Sequence, residues 1–77
     1  MKKNNIEERK RIGKEIAELR LKNKLSQEQL ASILGIQQQS VSRIEQGLFS
    51  VGFDMLQRIA DALNSDIKII EIRQTNK

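Results

Sequence analysis

The chain has 77 residues, with 14 Lys and Arg against 10 Asp and Glu, and it contains neither cysteine nor histidine. Without these two residue types it lacks the commonest general base and most transition-metal ligands, so we expect no enzyme, no metal site and no other cofactor. The net charge of +4 favours a polyanionic partner.

The length predicts one small domain, whose core alone supplies little net stability, so a homodimer is the expected state. No apolar run approaches the roughly 20 residues that a membrane span needs. The polar residues 1–11 lack the apolar core of a signal peptide. We therefore predict a soluble, cytoplasmic protein with no membrane association.

The chain opens with a short polar segment that leads into an amphipathic helix. Residues 1–5 show no periodicity and are predicted to be a flexible tail. Between residues 6 and 23, Ile12, Ile16 and Leu19 recur at the spacing of one helix face, which predicts the first helix.

The second predicted helix carries signals at both ends. Ser26 and Gln29 have the spacing of a capping box, so the helix should begin at about Gln27. Gly35 follows the last apolar residue directly and can adopt the positive φ that ends a helix. The apolar residues between these signals share one face: Leu30, Ala31 and Leu34.

A tight turn leads to a third predicted helix with two different faces. At about 100° per residue from Gln38, Val41 and Ile44 point to one side, which predicts a core face. Gly47 ends the segment. The opposite side is a row of hydrogen-bonding groups: Gln38, Gln39, Ser42 and Arg43.

An apolar loop separates this helix from the fourth. Leu48, Phe49 and Val51 lie in the loop at residues 48–52, where they are buried against a second subunit, form a docking patch for another protein, or pack back on the domain's own core. These three alternatives stay open. The fourth helix is predicted at residues 53–63 with one apolar face: Phe53, Leu56, Ile59, Ala60 and Leu63.

The remaining residues change in character. Residues 65–73 are rich in isoleucine, with apolar and polar residues alternating as in a strand, although a short fifth helix is the alternative. A lone strand leaves its backbone groups unpaired, so we predict that it pairs with the same strand of a second copy. Residues 74–77 are predicted to be a flexible tail. The predicted dimerisation residues are Ile67, Ile69, Ile70 and Ile72.

These elements resemble the helix-turn-helix of the phage-repressor family, also called the XRE or Cro/cI family. The resemblance spans residues 12–63 and is carried by the segments IGKEIAELR, LSQEQLASILGI, SVSRIEQG and FDMLQRIADAL. It implies an all-α fold, a lambda-repressor-like helix-turn-helix domain of four helices at residues 6–64, followed here by the short dimerisation strand. It also implies that the third helix of this chain lies in the DNA major groove.

The resemblance and the side-chain chemistry together predict the DNA contacts. A glutamine amide can bond N6 and N7 of adenine at once, and an arginine can take the O6/N7 edge of guanine. In the resembling family, the residues at the positions of Arg20 and Glu45 form a salt bridge, which we expect to hold the third helix at a fixed angle. The predicted base contacts are Gln38, Gln39, Ser42 and Arg43, and the predicted phosphate contacts are Gln27, Gln37 and Gln46.

Two stretches depart from the family pattern. Residues 48–52 lack the basic and proline residues that touch the DNA backbone in many members, and Gln37 stands where Ser or Thr usually caps the helix. The sequence thus predicts a dimeric repressor that binds double-stranded DNA at an inverted-repeat operator. The alternative is an antitoxin that binds a toxin protein and represses its own operon, since HipB-type antitoxins also join such a domain to a strand.

Overall fold

The computed structural model describes residues 5–64, which form four α-helices and no β-strand. The helices are α1 (Asn5–Lys22), α2 (Gln27–Leu34), α3 (Gln38–Glu45) and α4 (Phe53–Ala62). Asn5 belongs to α1, so the helix begins one residue before the predicted boundary. The strand predicted at 65–73, with Ile67, Ile69, Ile70 and Ile72, lies outside the described residues, as do residues 1–4 and the tail predicted at 74–77.

The core lies where α1, α2, α3 and α4 meet. The helix α2 packs against both α3 and α4, and α1 packs against α3. The predicted stripe of α1 is confirmed, since Ile16 is buried and Ile12 and Leu19 pack against the core. The buried residues are Ile16, Leu30, Ala31, Leu34, Val41, Ile44, Leu56, Ile59, Ala60 and Leu63.

The local signals that bound α2 are present as predicted. The backbone N–H of Gln29 donates to Ser26 Oγ at 2.9 Å, and Ser26 N–H donates to Gln29 Oε1 at 2.8 Å, which closes the capping box. At the other end, Gly35 has a φ of 72° and ends the helix in the left-handed region. Both ends of α2 are therefore fixed by its own sequence.

The helix α4 follows its prediction except at Phe53. Gly52 precedes the helix, and Asn64 follows it with a φ of 53°. Phe53 was predicted to lie on the core face, but its side chain is 61% exposed. It is the first residue of α4, one turn before Leu56, which is the first residue of this stripe that the core covers. The helix periodicity was predicted correctly, but the core does not extend far enough to cover Phe53.

Among residues 5–64, no helix is long and apolar enough to cross a membrane. The same residues contain no group of three or more acidic side chains placed to hold a metal ion.

Candidate nucleic-acid interface

The helix α3 separates a buried face from an exposed polar face. Val41 and Ile44 are 2% and 5% exposed and lie in the core. Gln38, Gln39 and Arg43 are exposed on the other side. Because the buried face attaches α3 to α1 and α2, the polar side chains form a row on a rigid element. We call this row, together with Ser42, the polar face of α3.

Ser42 is half-buried and takes part in a contact within α3. The side-chain amide of Gln46 donates to Ser42 Oγ at 2.9 Å, one helical turn away. Gln46 is itself exposed. The two side chains therefore continue the polar face towards the C-terminal end of the helix.

The two ends of α3 differ in how they are held. Gln37 precedes the helix in an extended conformation, and its side chain makes no capping hydrogen bond. The backbone N–H groups of the first helical turn accordingly lack the side-chain acceptor that Ser26 gives to α2. At the other end, side chains from α1 and α2 converge on Glu45.

Arg20 and Glu45 form a bidentate ion pair between α1 and α3. Arg20 Nε lies 2.7 Å from Glu45 Oε2, and Arg20 Nη2 lies 3.1 Å from Glu45 Oε1. The third guanidinium nitrogen, Nη1, donates to the carbonyl oxygen of Leu25 at 2.8 Å. The two side chains are only 11% and 6% exposed, so the pair is screened little by solvent. It joins α1 to the last residue of the helix that carries the polar face.

Gln27 has a role that the sequence did not reveal. Its side-chain amide donates to Glu45 Oε1 at 2.9 Å, so it links the first residue of α2 to the last residue of α3. The amide nitrogen carries two hydrogens, and the second is left for another acceptor. The contact of Gln27 with a DNA phosphate stays a prediction.

Two glycines bring α1 close to the same end of α3. A Cβ atom at Gly13 would lie 2.4 Å from the carbonyl oxygen of Ile44, and one at Gly47 would lie 2.8 Å from Lys10 Cα. Sequence reasoning identified Gly47 only as the end of α3 and gave Gly13 no role. The available signal was the glycine inside the helical pattern IGKEI, since a glycine there weakens a helix and usually has a packing reason.

The loop at residues 48–52 divides between core and solvent. Val51 packs against the core, whereas Leu48 and Phe49 are 64% and 42% exposed. With Phe53 they leave three large apolar side chains exposed in one short stretch. We call Leu48, Phe49 and Phe53 the exposed apolar surface. Packing back on the core thus accounts for only one of the three apolar loop residues.

Comparison with known proteins supports the fold. A family model described as helix-turn-helix, HTH_3, matches residues 16–70. The chain belongs to this helix-turn-helix family. The predicted resemblance to the XRE-type regulators and the predicted four-helix fold are thereby confirmed. No curated protein sequence matches the chain.

Solved structures resemble this helix-turn-helix chain over most of its length. The restriction-modification controller protein C.AhdI from Aeromonas hydrophila is 26% identical, with a TM-score of 0.82 over 88% of this chain and 99% of its own. The clp gene regulator ClgR from Corynebacterium glutamicum shares the fold at 20% identity, with a TM-score of 0.79 over 84% of each chain. A structure of Bacillus thuringiensis PlcR with the peptide PapR7 and DNA is 36% identical, with a TM-score of 0.72 over 79% of this chain and 21% of its own.

Proposed function

We propose that this helix-turn-helix protein is a sequence-specific transcriptional regulator, most simply a dimeric repressor, that inserts α3 into the major groove of double-stranded DNA. The observation that carries the proposal is the polar face of α3, which is exposed opposite a buried face and held at the Glu45 end by α1 and α2. The helix-turn-helix motif consists of α2 and α3. In this class of protein the second helix of the motif enters the groove, and here that helix is α3.

The side chains of the polar face suit direct reading of bases. The amides of Gln38 and Gln39 offer the paired donor and acceptor that match N6 and N7 of adenine. Arg43 lies one turn further along and suits the O6/N7 edge of guanine, and Ser42 can reach either kind of edge. An operator rich in A·T pairs at the position of Gln38 and Gln39, with G·C pairs beside them, fits this order.

Phosphate contacts would set the register of α3 on the duplex. The remaining amide hydrogen of Gln27 lies at the start of α2, where the helix dipole favours an anion. Gln37 lies at the start of α3 and Gln46 just beyond its end, and both are exposed. The net charge of +4 supports attraction to the backbone at low salt.

The comparisons support the same function. The PlcR structure, which is 36% identical over the matched region, was solved with DNA, and C.AhdI is described as a controller protein. The DNA in the PlcR structure supports the expectation that this chain binds DNA.

Selection of binding sites from a random duplex library tests the proposal. We expect an inverted repeat whose half-site centres lie about 34 Å apart, or at a multiple of that spacing. Footprinting on the DNA upstream of the protein's own gene should protect such a site. Equal affinity for every duplex in the library would contradict the proposal.

The proposed dimer makes a separate prediction. Residues 5–64 contain no strand that could pair with the segment at 65–73, so we propose that a second copy pairs with it. A chain shortened to residues 1–64 should then be monomeric in sedimentation equilibrium, and its operator affinity should fall by about tenfold or more because one half-site contact is lost. If the shortened chain is still dimeric at micromolar concentration, the dimer interface lies elsewhere, with the exposed apolar surface as the next candidate.

The exposed apolar surface favours a second candidate function. Leu48, Phe49 and Phe53 give a protein partner an apolar contact next to α3, as an antitoxin that binds a toxin and represses its own operon would need. Coexpression with the product of the neighbouring gene separates the two functions. A stable complex that Phe49→Ser and Phe53→Ser together abolish, with operator binding retained, would favour the antitoxin.

A further inference from the structure

The C-terminal end of α3 touches α1 backbone to backbone. An added Cβ at Gly13 would lie 2.4 Å from the carbonyl oxygen of Ile44, 2.6 Å from that of Glu45 and 2.8 Å from the Glu45 carbonyl carbon. These atoms belong to the main chain, so no side-chain rotation can relieve the overlap. Gly13 therefore permits an approach that any other residue type would prevent.

A second glycine extends this contact by one turn of α1. At Gly47, which has a φ of 79°, an added Cβ would lie 2.7 Å from Lys10 Cγ and within 2.9 Å of Lys10 backbone atoms. Arg9 Nε donates to the carbonyl oxygen of Gly47 at 3.4 Å. Lys10 and Gly13 are three residues apart and share a face of α1. The end of α3 and the residue that follows it thus rest on two successive turns of α1.

The contact lies at the opposite end of α3 from the predicted adenine-reading side chains. Gln38 and Gln39 are in the first turn, which no side chain caps. The helix has eight residues and is therefore about 12 Å long. Because α3 is one short helix, we expect a shift where it meets α1 to displace Gln38 and Gln39 as well.

We propose that Gly13 is a positioning residue for DNA reading. The absence of a side chain at this residue sets how closely α3 lies against α1, and hence the angle at which the polar face of α3 meets the bases. The inference rests on the proposed function. An ordinary contact of a Cβ atom begins at 3.4 Å, whereas an alanine Cβ at residue 13 would lie 2.4 Å from the carbonyl oxygen of Ile44. An alanine would therefore push α3 away by about 1 Å, which is more than the roughly 0.5 Å that a binding site tolerates.

The alternative is that the glycine serves the stability of the whole domain and nothing more. Alanine is the better helix former, so intrinsic propensity does not explain a glycine at this place in α1. A general packing role predicts that Gly13→Ala weakens the whole fold. A positioning role predicts a folded variant in which α3 is displaced and sequence discrimination is lost.

The experiment compares Gly13→Ala with Lys14→Ala, which changes the next residue on the exposed side of α1. Two DNA probes are used, the inverted-repeat duplex selected from the library and a random duplex of the same length. For Gly13→Ala we expect operator affinity to fall by about tenfold or more, while affinity for the random duplex stays within about twofold. Lys14→Ala should lower both affinities by a similar, small factor, because an exposed cation outside the polar face of α3 contributes only to the general field.

Amide chemical shifts of the free proteins give a readout that does not depend on DNA. In Gly13→Ala, we expect the largest changes outside the neighbours of residue 13 to lie at the amides of α3 and Gly47, with α4 close to wild type. A folded variant with unshifted α3 amides and full discrimination would overturn the proposal, and so would a variant that does not fold. If the wild-type protein prefers no sequence, the proposed function fails, and the shifts still decide whether Gly13 sets the position of α3.

Discussion

Glu45→Ala is expected to lower the free energy of unfolding by about 3–5 kcal/mol, because it leaves a largely buried arginine side chain without its carboxylate. In the native structure Glu45 accepts hydrogen bonds from Arg20 Nε, Arg20 Nη2 and Gln27 Nε2. Removing it leaves the Arg20 guanidinium with the carbonyl oxygen of Leu25 as its remaining acceptor among these contacts. In a small domain this loss is a large part of the total stability. Urea unfolding followed by far-UV circular dichroism measures it.

A double-mutant cycle shows how much of that loss belongs to the pair. The double variant, with Arg20→Ala and Glu45→Ala, should be about 1–3 kcal/mol more stable than the sum of the two single changes implies. Glu15→Ala is the matched control, because Glu15 pairs with Arg11 on the surface of α1 and both side chains are 29% exposed. It should change stability by less than about 1 kcal/mol. Additive effects of Arg20→Ala and Glu45→Ala would mean that the bidentate pair is not formed in solution.

The parts of the fold that the sequence predicted well depend on neighbouring residues. The capping box of Ser26 and Gln29, the left-handed turn at Gly35 and the stripe of α1 each lie within a few residues of chain. Such signals act through backbone hydrogen bonds and helix periodicity, which a sequence shows directly. The order and approximate bounds of the four helices follow from them.

The parts that the sequence did not predict depend on contacts between distant elements. Gly13 meets the end of α3 from more than thirty positions away, and Gln27 meets Glu45 across the motif. The exposure of Phe53 depends on where the core ends, which helix periodicity does not contain. The Arg20–Glu45 pair was expected from the family resemblance, because spacing alone does not bring α1 and α3 together.

The difference between local signals and contacts between distant elements also applies to the candidate site. The residue types suited to base reading were visible in the sequence, because the polar face of α3 follows from its periodicity. The attachments that orient this face come from α1 and α2, and they became visible only in the structure. A variant can therefore impair DNA reading in two ways, by removing a base contact or by moving the helix that carries it.

Removal of a base contact gives the last prediction. Gln38→Ala and Gln39→Ala should each weaken operator binding by about 1–3 kcal/mol, because each would remove a bidentate contact to an adenine. Both side chains are exposed, so the free energy of unfolding should change by no more than about 0.5 kcal/mol. Fluorescence anisotropy with the selected operator and with a random duplex measures the two affinities.

Two matched glutamine variants complete the test. Gln57→Ala makes the same change on α4, where the amide donates to Asp61, and it should leave both affinities unaltered. Gln27→Ala should weaken the random duplex as well as the operator, because its proposed partner is a phosphate that every sequence presents. The operator should lose somewhat more, because the hydrogen bond from Gln27 to Glu45 also helps to hold α3. For Gln38→Ala and Gln39→Ala, only the operator affinity should fall. Each variant should lose its sequence preference at one base pair. If these two variants lose operator and random duplex equally, then α3 does not read the bases through its first turn.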